Sequence, residues 1–466
     1  MATDSPDLGV DLSRTLPLVV EAIERWQESY GGVESAPVSA VDAKTWRETL
    51  DQFLARLTDE QYPFFHPHYA GQMLKPPHPV AVVGYLAAML INPNNHALDG
   101  GPSTAAMEKE CVERLAAMFG MDQHLGHLTS SGTIANLEAL WVGREEKPGS
   151  VVAVSRDAHY THARMGNVLG VEVVDIDVDD SGRMAVDDLA RVLETHNVGT
   201  VVVTLGTTAL GAIDPLDDII PVARAAGARV HVDGAYGGFF ALVADDSNDG
   251  VPSRHFSAIA RADSVVVDPH KHGLQPYGCG AVLFADPGIG THYAHESPYT
   301  YFSSDELHLG EISLECSRAG AAAAAFWLTT EVFPLTPDGL GHVLRPGLRG
   351  ARRMHSLLQA SSDVQSLQEP ELDIVGYLTR ARTASRVDRD SVQIFDELAL
   401  RPSDEQWHLA TYNMNVDAFA KRGIDVEPDQ EHARILRSVL MKPEHDAVVD
   451  DLVKVLEETS RRSVTS

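Results

Sequence analysis

Lysine is scarce in this chain, with eight residues in 466, and cysteine is scarcer, with three. Cys111, Cys279 and Cys316 are too few for a disulfide framework and lack the Cys-x-x-Cys spacing of a zinc site, so they read as small buried apolar residues. Basic residues do not balance acidic ones: 37 Lys and Arg against 67 Asp and Glu leave a formal net charge of -30, which argues against nucleic acid as a partner. No apolar run approaches the roughly 20 residues of a membrane span. The opening MATDSPDLGVDLSRTLPLVV has no basic stretch leading into an apolar one. These absences predict a cytoplasmic protein that engages neither membrane nor nucleic acid. What remains is an ordinary globular balance, 44% apolar and 22% charged, with length for two or three domains.

Along the chain, residues 11–60 carry apolar positions at helical spacing (Leu16, Val19, Val20, Ile23; then Trp46, Leu50, Phe53, Leu54, Leu57), interrupted by GGVESAP. They predict helical arms ahead of the main body. Residues 64–79, FFHPHYAGQMLKPPHP, are too irregular for a core element and read as a surface loop or part of a pocket wall. From about 120 the pattern alternates. Strand-like runs HLTS, VVAVS, VEVVDIDV, TVVVTLG, ARVHVDG, SVVVD and GAVLF are separated by helical runs such as IANLEALWVGR and LDDIIPVARAAG. Near-continuous apolar strands alternating with helices imply an α/β fold with a mainly parallel central sheet covered on both faces. Beyond about 310 an alanine-rich helix, strand runs near ELDIVGYLTR and HLATYNMNV, and a final helix fit a smaller α+β unit.

Within this frame, SVVVDPHKHG at 264–273 delivers a lysine at the exit of a buried strand that Pro269 ends. The other seven lysines sit among polar residues or beside prolines, as solvated lysines do. Lys271 lies between two histidines, where burial and neighbouring positive charge would lower its pKa and favour the neutral amine of Schiff-base chemistry. A lysine that merely caps a strand end is the plain structural alternative.

Three further stretches bear on the choice. Thr129–Asn136, TSSGTIAN, opens a helix directly after a strand, with free N–H groups, hydroxyls and one glycine suited to an anion; an ordinary Ser/Thr cap is the alternative. HVDGAYGG puts Asp233 at a strand's C-terminal end, where ligands gather in such sheets, with the small Gly234 and Ala235 leaving room for a flat ring. DAHYTH puts His159 at another strand exit; His159 and His162 are three apart but lack further ligands at metal spacing, so no metal is expected. The order of phosphate cradle, histidine, Gly206-Thr207-Thr208 turn, strand-end aspartate and strand-end lysine is that expected if pyridoxal 5'-phosphate (PLP) lies across the strand ends.

At this point the chain resembles the group II PLP-dependent amino-acid decarboxylases, the aromatic-L-amino-acid, tyrosine and glutamate decarboxylase-like enzymes of fold-type I architecture. The words that carry the resemblance run from HPHYAGQM through NPNN, TSSGTIAN, DAHYTH, TLGTTALGAID, VHVDGAYGG, DPHKHGLQPYGCGAVLF and SLECSRAGAAAAAFW to LRSVLMKP, spanning roughly residues 64–445. The resemblance implies Lys271 as the Schiff-base lysine, Asp233 as partner of the pyridine nitrogen, His159 stacked on the ring and Thr208 near its 3-hydroxyl. It gives Gly132, Thr133 and His270, with Ser131, to the phosphate, and sets Ala235 beside the ring. A tyrosine from a loop after the lysine would protonate Cα; the loop offers Tyr293, Tyr299 and Tyr301, of which Tyr299 is favoured. His68, Tyr69 and Asn94 are candidates for the substrate wall. In relatives that wall draws on the partner subunit, so the resemblance implies a homodimer.

The division then expected is 1–85 for the N-terminal arm and dimer segment, 86–330 for the PLP-binding domain and 331–466 for the small C-terminal domain. Two departures stand out: Ser131 where many relatives carry glycine, and GGP at 100–102 where Ser-Pro is common. The activity implied is decarboxylation of an L-amino acid, aromatic by preference, to its amine and carbon dioxide. The alternatives on the same scaffold are decarboxylation coupled to oxidative deamination, giving an aldehyde, or another carbon–carbon lyase or aminotransferase. A transaminase would need a second carboxylate clamp, for which Arg318 or Arg437 are the available arginines. A non-catalytic binding protein is the alternative of a different class, and the intact Lys271, Asp233 and His159 set argues against it.

Overall fold

The computed structural model describes residues 10–31, 41–294 and 307–465. Seven short strands form the central sheet: β1 (Leu125–Thr129), β2 (Val151–Ser155), β3 (Val173–Ile176), β4 (Val198–Thr204), β5 (Arg229–Gly234), β6 (Ser264–Val267) and β7 (Gly280–Phe284). Their order is β1-β7-β6-β5-β4-β2-β3, and only β7 runs antiparallel to its neighbours. The expectation of a mainly parallel sheet is met, and the physical reason is visible in burial. Every residue of β4, β6 and β7 is buried, as strands covered on both faces must be, whereas the edge strand β3 is shorter than its apolar run and half-exposed.

A second, four-stranded antiparallel sheet follows: β8 (Val364–Ser366), β9 (Ile374–Thr379), β10 (Ala410–Asn415) and β11 (His432–Val439), in the order β10-β11-β9-β8. Helices Leu340–Ala360 and His445–Thr465 supply its core with Leu358, Leu452 and Leu456. The polyalanine stretch forms helix Ala321–Val332, which lies hard against helix Pro79–Met89. A Cβ at Gly84 would fall 2.9 Å from Ala325 Cα, so small residues on both sides set this close approach.

The arms form as helices Leu12–Glu28 and Ala43–Glu60, capped by the Asp11 and Asp42 carboxylates on the N–H groups of Ser13 and Thr45. None of their residues is buried. Trp26, Trp46 and Phe53 are 48%, 56% and 55% exposed; in the first arm helix Leu12, Leu16, Val19 and Ile23 are half-buried, whereas the apolar stripe of the second lies almost wholly exposed. Among the described residues no helix is long and apolar enough to cross a membrane.

Two sequence expectations fail here. Lys75 and Lys442 are buried, not solvated: Lys75 Nζ donates to Met441 O at 3.3 Å and Lys442 Nζ donates to His66 O at 3.0 Å. Both precede prolines, and two extended segments remote in sequence dock on each other and satisfy the ammonium groups with backbone carbonyls. Of the cysteines, Cys111 and Cys279 are buried but Cys316 is exposed.

Candidate active site

Strand register brings the site together. Thr204 on β4 pairs with Asp233 on β5, Asp233 pairs with Val266 on β6, and Gly234 pairs with Val267, so three strands end at one level. Just past β6, Asp268, His270 and Lys271 turn over that edge, while β7 leads back beneath the start of helix Gly132–Glu146. The result is a cavity of about 270 Å³ at the carboxyl ends of the parallel strands, where ligands collect in open α/β sheets. Ser131, Gly132, Thr133, His159, Thr208, Asp233, Ala235, His270 and Lys271 all line it.

At one end lies the N-terminus of helix Gly132–Glu146, capped by Ser131 Oγ, which accepts from Ile134 N at 3.3 Å. Its first turn faces the cavity with amide donors and a positive dipole end. Gly132 is required by crowding: a Cβ there would stand 2.6 and 2.7 Å from the two Asp268 carboxylate oxygens. A relay behind the cradle holds it still. Ser264 Oγ meets His231 Nδ1 at 2.8 Å, His231 Nε2 donates to Asn136 Oδ1 at 2.9 Å, and Asn136 Nδ2 donates to Gly132 O at 2.8 Å. Burial drives His231 down to about 3, so the ring is neutral and its two nitrogens split cleanly between accepting and donating.

At the other end Asp233 is buried at the tip of β5. Its Oδ1 accepts from Ala235 N at 3.1 Å and its Oδ2 from His162 Nε2 at 2.8 Å. Burial alone would raise its pKa, but the hydrogen bond from His162 and the charge of Lys271 outweigh burial and hold the carboxyl well below the usual range. His159 is oriented by Thr161 N, which donates to its Nδ1 at 3.2 Å, and burial keeps the imidazole below its ordinary pKa.

Lys271 reverses one expectation. Its Nζ lies 3.0 Å from Asp268 Oδ2. Burial is the largest single influence and lowers its pKa, yet the charge and hydrogen bond of Asp268, with Asp233 behind, prevail, and the net shift is upward. The flanking histidines do not supply the positive charge their positions suggested: His270 Nδ1 donates to Cys279 O at 2.7 Å, His272 points away from the cavity, and burial lowers the pKa of both.

Other candidates lie elsewhere. Among the described residues His68, Tyr69 and Asn94 do not line this cavity. His68 stacks on Trp407 at 3.9 Å between ring centroids, Tyr69 bridges to His408, and Asn94 Oδ1 accepts from His96 N and Arg318 N. Tyr293 is buried against Trp141 with its hydroxyl donating to Glu138 Oε2 at 3.0 Å, and Tyr299 and Tyr301 lie outside the described residues. Arg318 is an ion-pair partner of Glu108, Arg437 donates to Thr208 O, and neither lines this cavity.

Sequence reasoning missed Asn136, His162, Asp268 and Tyr277. The signals were present inside the quoted stretches, but which of their polar residues turn inward depends on contacts between segments. Tyr277 packs over His270 at 4.7 Å and also lines an apolar groove of about 640 Å³ with Tyr62, Phe64, Phe65 and Leu74. Part of the 64–79 segment is thus a groove wall, one of the two roles expected of it.

The donor set fits PLP: an anion cradle at one end, an ionised buried carboxylate for a cationic ring nitrogen at the other, and a lysine between. Buried oxygens without partners, Thr204 Oγ1 and Asp268 Oδ1, belong to residues that line the same space. Comparison with known proteins agrees. The pyridoxal-dependent decarboxylase conserved domain matches residues 51–380. An L-tyrosine decarboxylase of Enterococcus faecium is 26% identical over 472 residues, covering 77% of this chain and 77% of its own. An L-aspartate decarboxylase of Thermococcus kodakarensis is 28% identical over 331 residues, covering 70% of this chain and 82% of its own. In fold the chain is similar to Oryza sativa TDC, solved with PLP and tryptamine, at a TM-score of 0.77 with 17% identity and 99% of both chains covered. The chain belongs to the pyridoxal-dependent decarboxylase family, and it is a PLP-dependent carboxy-lyase.

Proposed function

We propose that this carboxy-lyase converts an L-amino acid, aromatic by preference, to the corresponding amine and carbon dioxide. The observation that carries the reading is the convergence of Lys271, Asp233 and the helix start at Gly132 on one cavity. The aromatic preference is supported by the groove that shares Tyr277 with that cavity and is walled by Tyr62, Phe64 and Phe65. It is also supported by the tyrosine decarboxylase relative, while the aspartate decarboxylase relative pulls toward a smaller acidic substrate.

Bound PLP supplies an electron sink for the pair left behind when the carboxyl group departs. The residues of the chain do the rest. Ser131, Gly132, Thr133 and His270 bind the phosphate. Asp233, held ionised, would be the partner of the pyridine nitrogen and would favour its protonated form. His159, with its Nδ1 engaged by Thr161 N, would present a fixed ring face for stacking, and Thr208 and Ala235 line the same cavity. Lys271 would be the attachment point, and Asp268 Oδ2, 3.0 Å from Nζ, holds the amine in place at the cavity wall. Tyr299 would be the proton donor to Cα.

In the same reading residues 1–85 are the arm and dimer segment, 86–330 the PLP-binding domain and 331–466 the small domain. Two copies pair, which would cover the exposed faces of the arm helices and bring His68, Tyr69 and Asn94 toward the partner's cavity. The test is an absorbance spectrum of the purified protein with PLP, then a screen of common L-amino acids for carbon dioxide, ammonia and peroxide. Carbon dioxide without ammonia from an aromatic amino acid is the expected result. Ammonia and peroxide would assign the oxidative reaction instead, and absence of any cofactor band would overturn the mechanism.

A further inference from the structure

We propose that His162 is a positioning residue for the reaction: its imidazole holds the Asp233 carboxylate ionised and in one orientation, and so sets how strongly the cofactor ring draws electrons. The inference rests on the reading of Asp233 as partner of the pyridine nitrogen. His162 is 1% exposed on helix Thr161–Leu169, where its buried neighbours include Met165 and Gly166. Its Nε2 lies 2.8 Å from Asp233 Oδ2. An ionised carboxylate only accepts, so His162 carries a proton on Nε2. Its Nδ1 is buried without a partner.

A buried polar atom left unpaired is costly, and an apolar side chain would fill the same space without that cost. The one polar contact that offsets it is the bond to Asp233. On the carboxylate, Oδ1 is occupied by Ala235 N, so the two bonds together fix the rotation of the group about its stem. The other ionisable groups facing Asp233 are Lys271 and His231, with His159 nearby. His231 is committed to Ser264 and Asn136, and Lys271 to Asp268, which leaves His162 as the hydrogen-bonding side chain aimed at Asp233.

The test compares loaded wild-type enzyme with His162→Phe, His162→Gln and Asp233→Asn, using the amino acid found by the screen. His162→Phe is expected to lower kcat by about 10- to 100-fold, the worth of a hydrogen bond to a charged group, with KM nearly unchanged. It also moves the pH at which the visible absorbance of the bound cofactor changes. His162→Gln, whose amide can donate to Asp233, recovers most of both. Wild-type kcat and an unmoved spectral titration in folded His162→Phe would overturn the proposal. Should His162→Phe fail to fold, proton NMR decides: a far-downfield, exchange-protected imidazole N–H in the wild type that vanishes in His162→Gln supports it, and absence of such a proton overturns it. Asp233→Asn separates the two levels. An unimpaired Asp233→Asn sinks the reading of Asp233 itself, whereas an inactive one beside an unimpaired His162→Phe sinks only the role of His162.

Discussion

Lys271 and His272 are consecutive in the chain but serve two regions that treat charge in opposite ways. Lys271 faces the cavity, where its partner Asp268 is 3.0 Å away and Asp233 has His162 at 2.8 Å. His272 faces a sealed seam beneath the second sheet, 3.4 Å from Asp373, with its ring nitrogens unpaired and Lys75 in electrostatic range. In the cavity, close opposite charge and hydrogen bonds outweigh burial, so Asp233 stays ionised and Lys271 stays an ammonium. In the seam burial wins: Asp373 is pushed up to about 6 although Tyr236 donates to it at 2.6 Å, Lys75 is drawn down to about 8, and His272 is held neutral. The difference teaches that burial alone does not decide protonation. A charged partner at hydrogen-bond distance does: Lys271 has Asp268 at 3.0 Å, whereas Lys75 has the backbone carbonyl of Met441 at 3.3 Å.

Substitutions can break this contrast or sharpen it. The largest effect is expected from Lys271→Ala, which should cost at least about 10³-fold in decarboxylation and remove the visible-edge absorbance of the loaded protein while circular dichroism stays unchanged. An unaltered spectrum would return Lys271 to the rank of its seam-side neighbours. Arg318→Ala tests a buried ion pair outside both regions. Loss of the guanidinium strands Glu108, so chemical denaturation should report a destabilisation of about 3–5 kcal/mol, with the surviving folded fraction keeping its substrate preference. A change of preference instead would mean that Arg318 reaches the substrate.

Asp373→Asn sharpens the seam. Because the folded protein holds a proton on Asp373 up to about pH 6 and the unfolded chain releases it near 3.8, wild-type stability carries a contribution that is lost as pH rises through that window. The amide oxygen can still accept from Tyr236, so the variant should lose this slope, of order 1–3 kcal/mol between pH 4 and 6, in melting curves taken across pH. An unchanged slope would place the titration elsewhere. The smallest effect is expected at Gly132→Ala. The added methyl crowds Asp268 and shifts the cradle, lowering PLP affinity by about tenfold in equilibrium dialysis, with little change in fold.

The alternation of apolar strands and helices determined the layered sheet because period and burial are local properties of the chain. The chemistry-bearing stretches determined which residues meet, since each is delivered by the end of a strand or the start of a helix: all nine of the cofactor-site candidates line one cavity. Other outcomes needed tertiary structure. The pairing of His162 with Asp233 spans 71 positions, and the docking of Lys442 on the carbonyl of His66 spans 376. No local pattern encodes such distances. The direction of the Lys271 shift was misjudged because sequence neighbours were counted as spatial ones: His272 turns into the seam, and Asp268, three residues back across a turn, comes to hydrogen-bond distance. Sequence period sets what an element buries, while electrostatic energy depends on separation and surroundings in space, which only the folded chain decides.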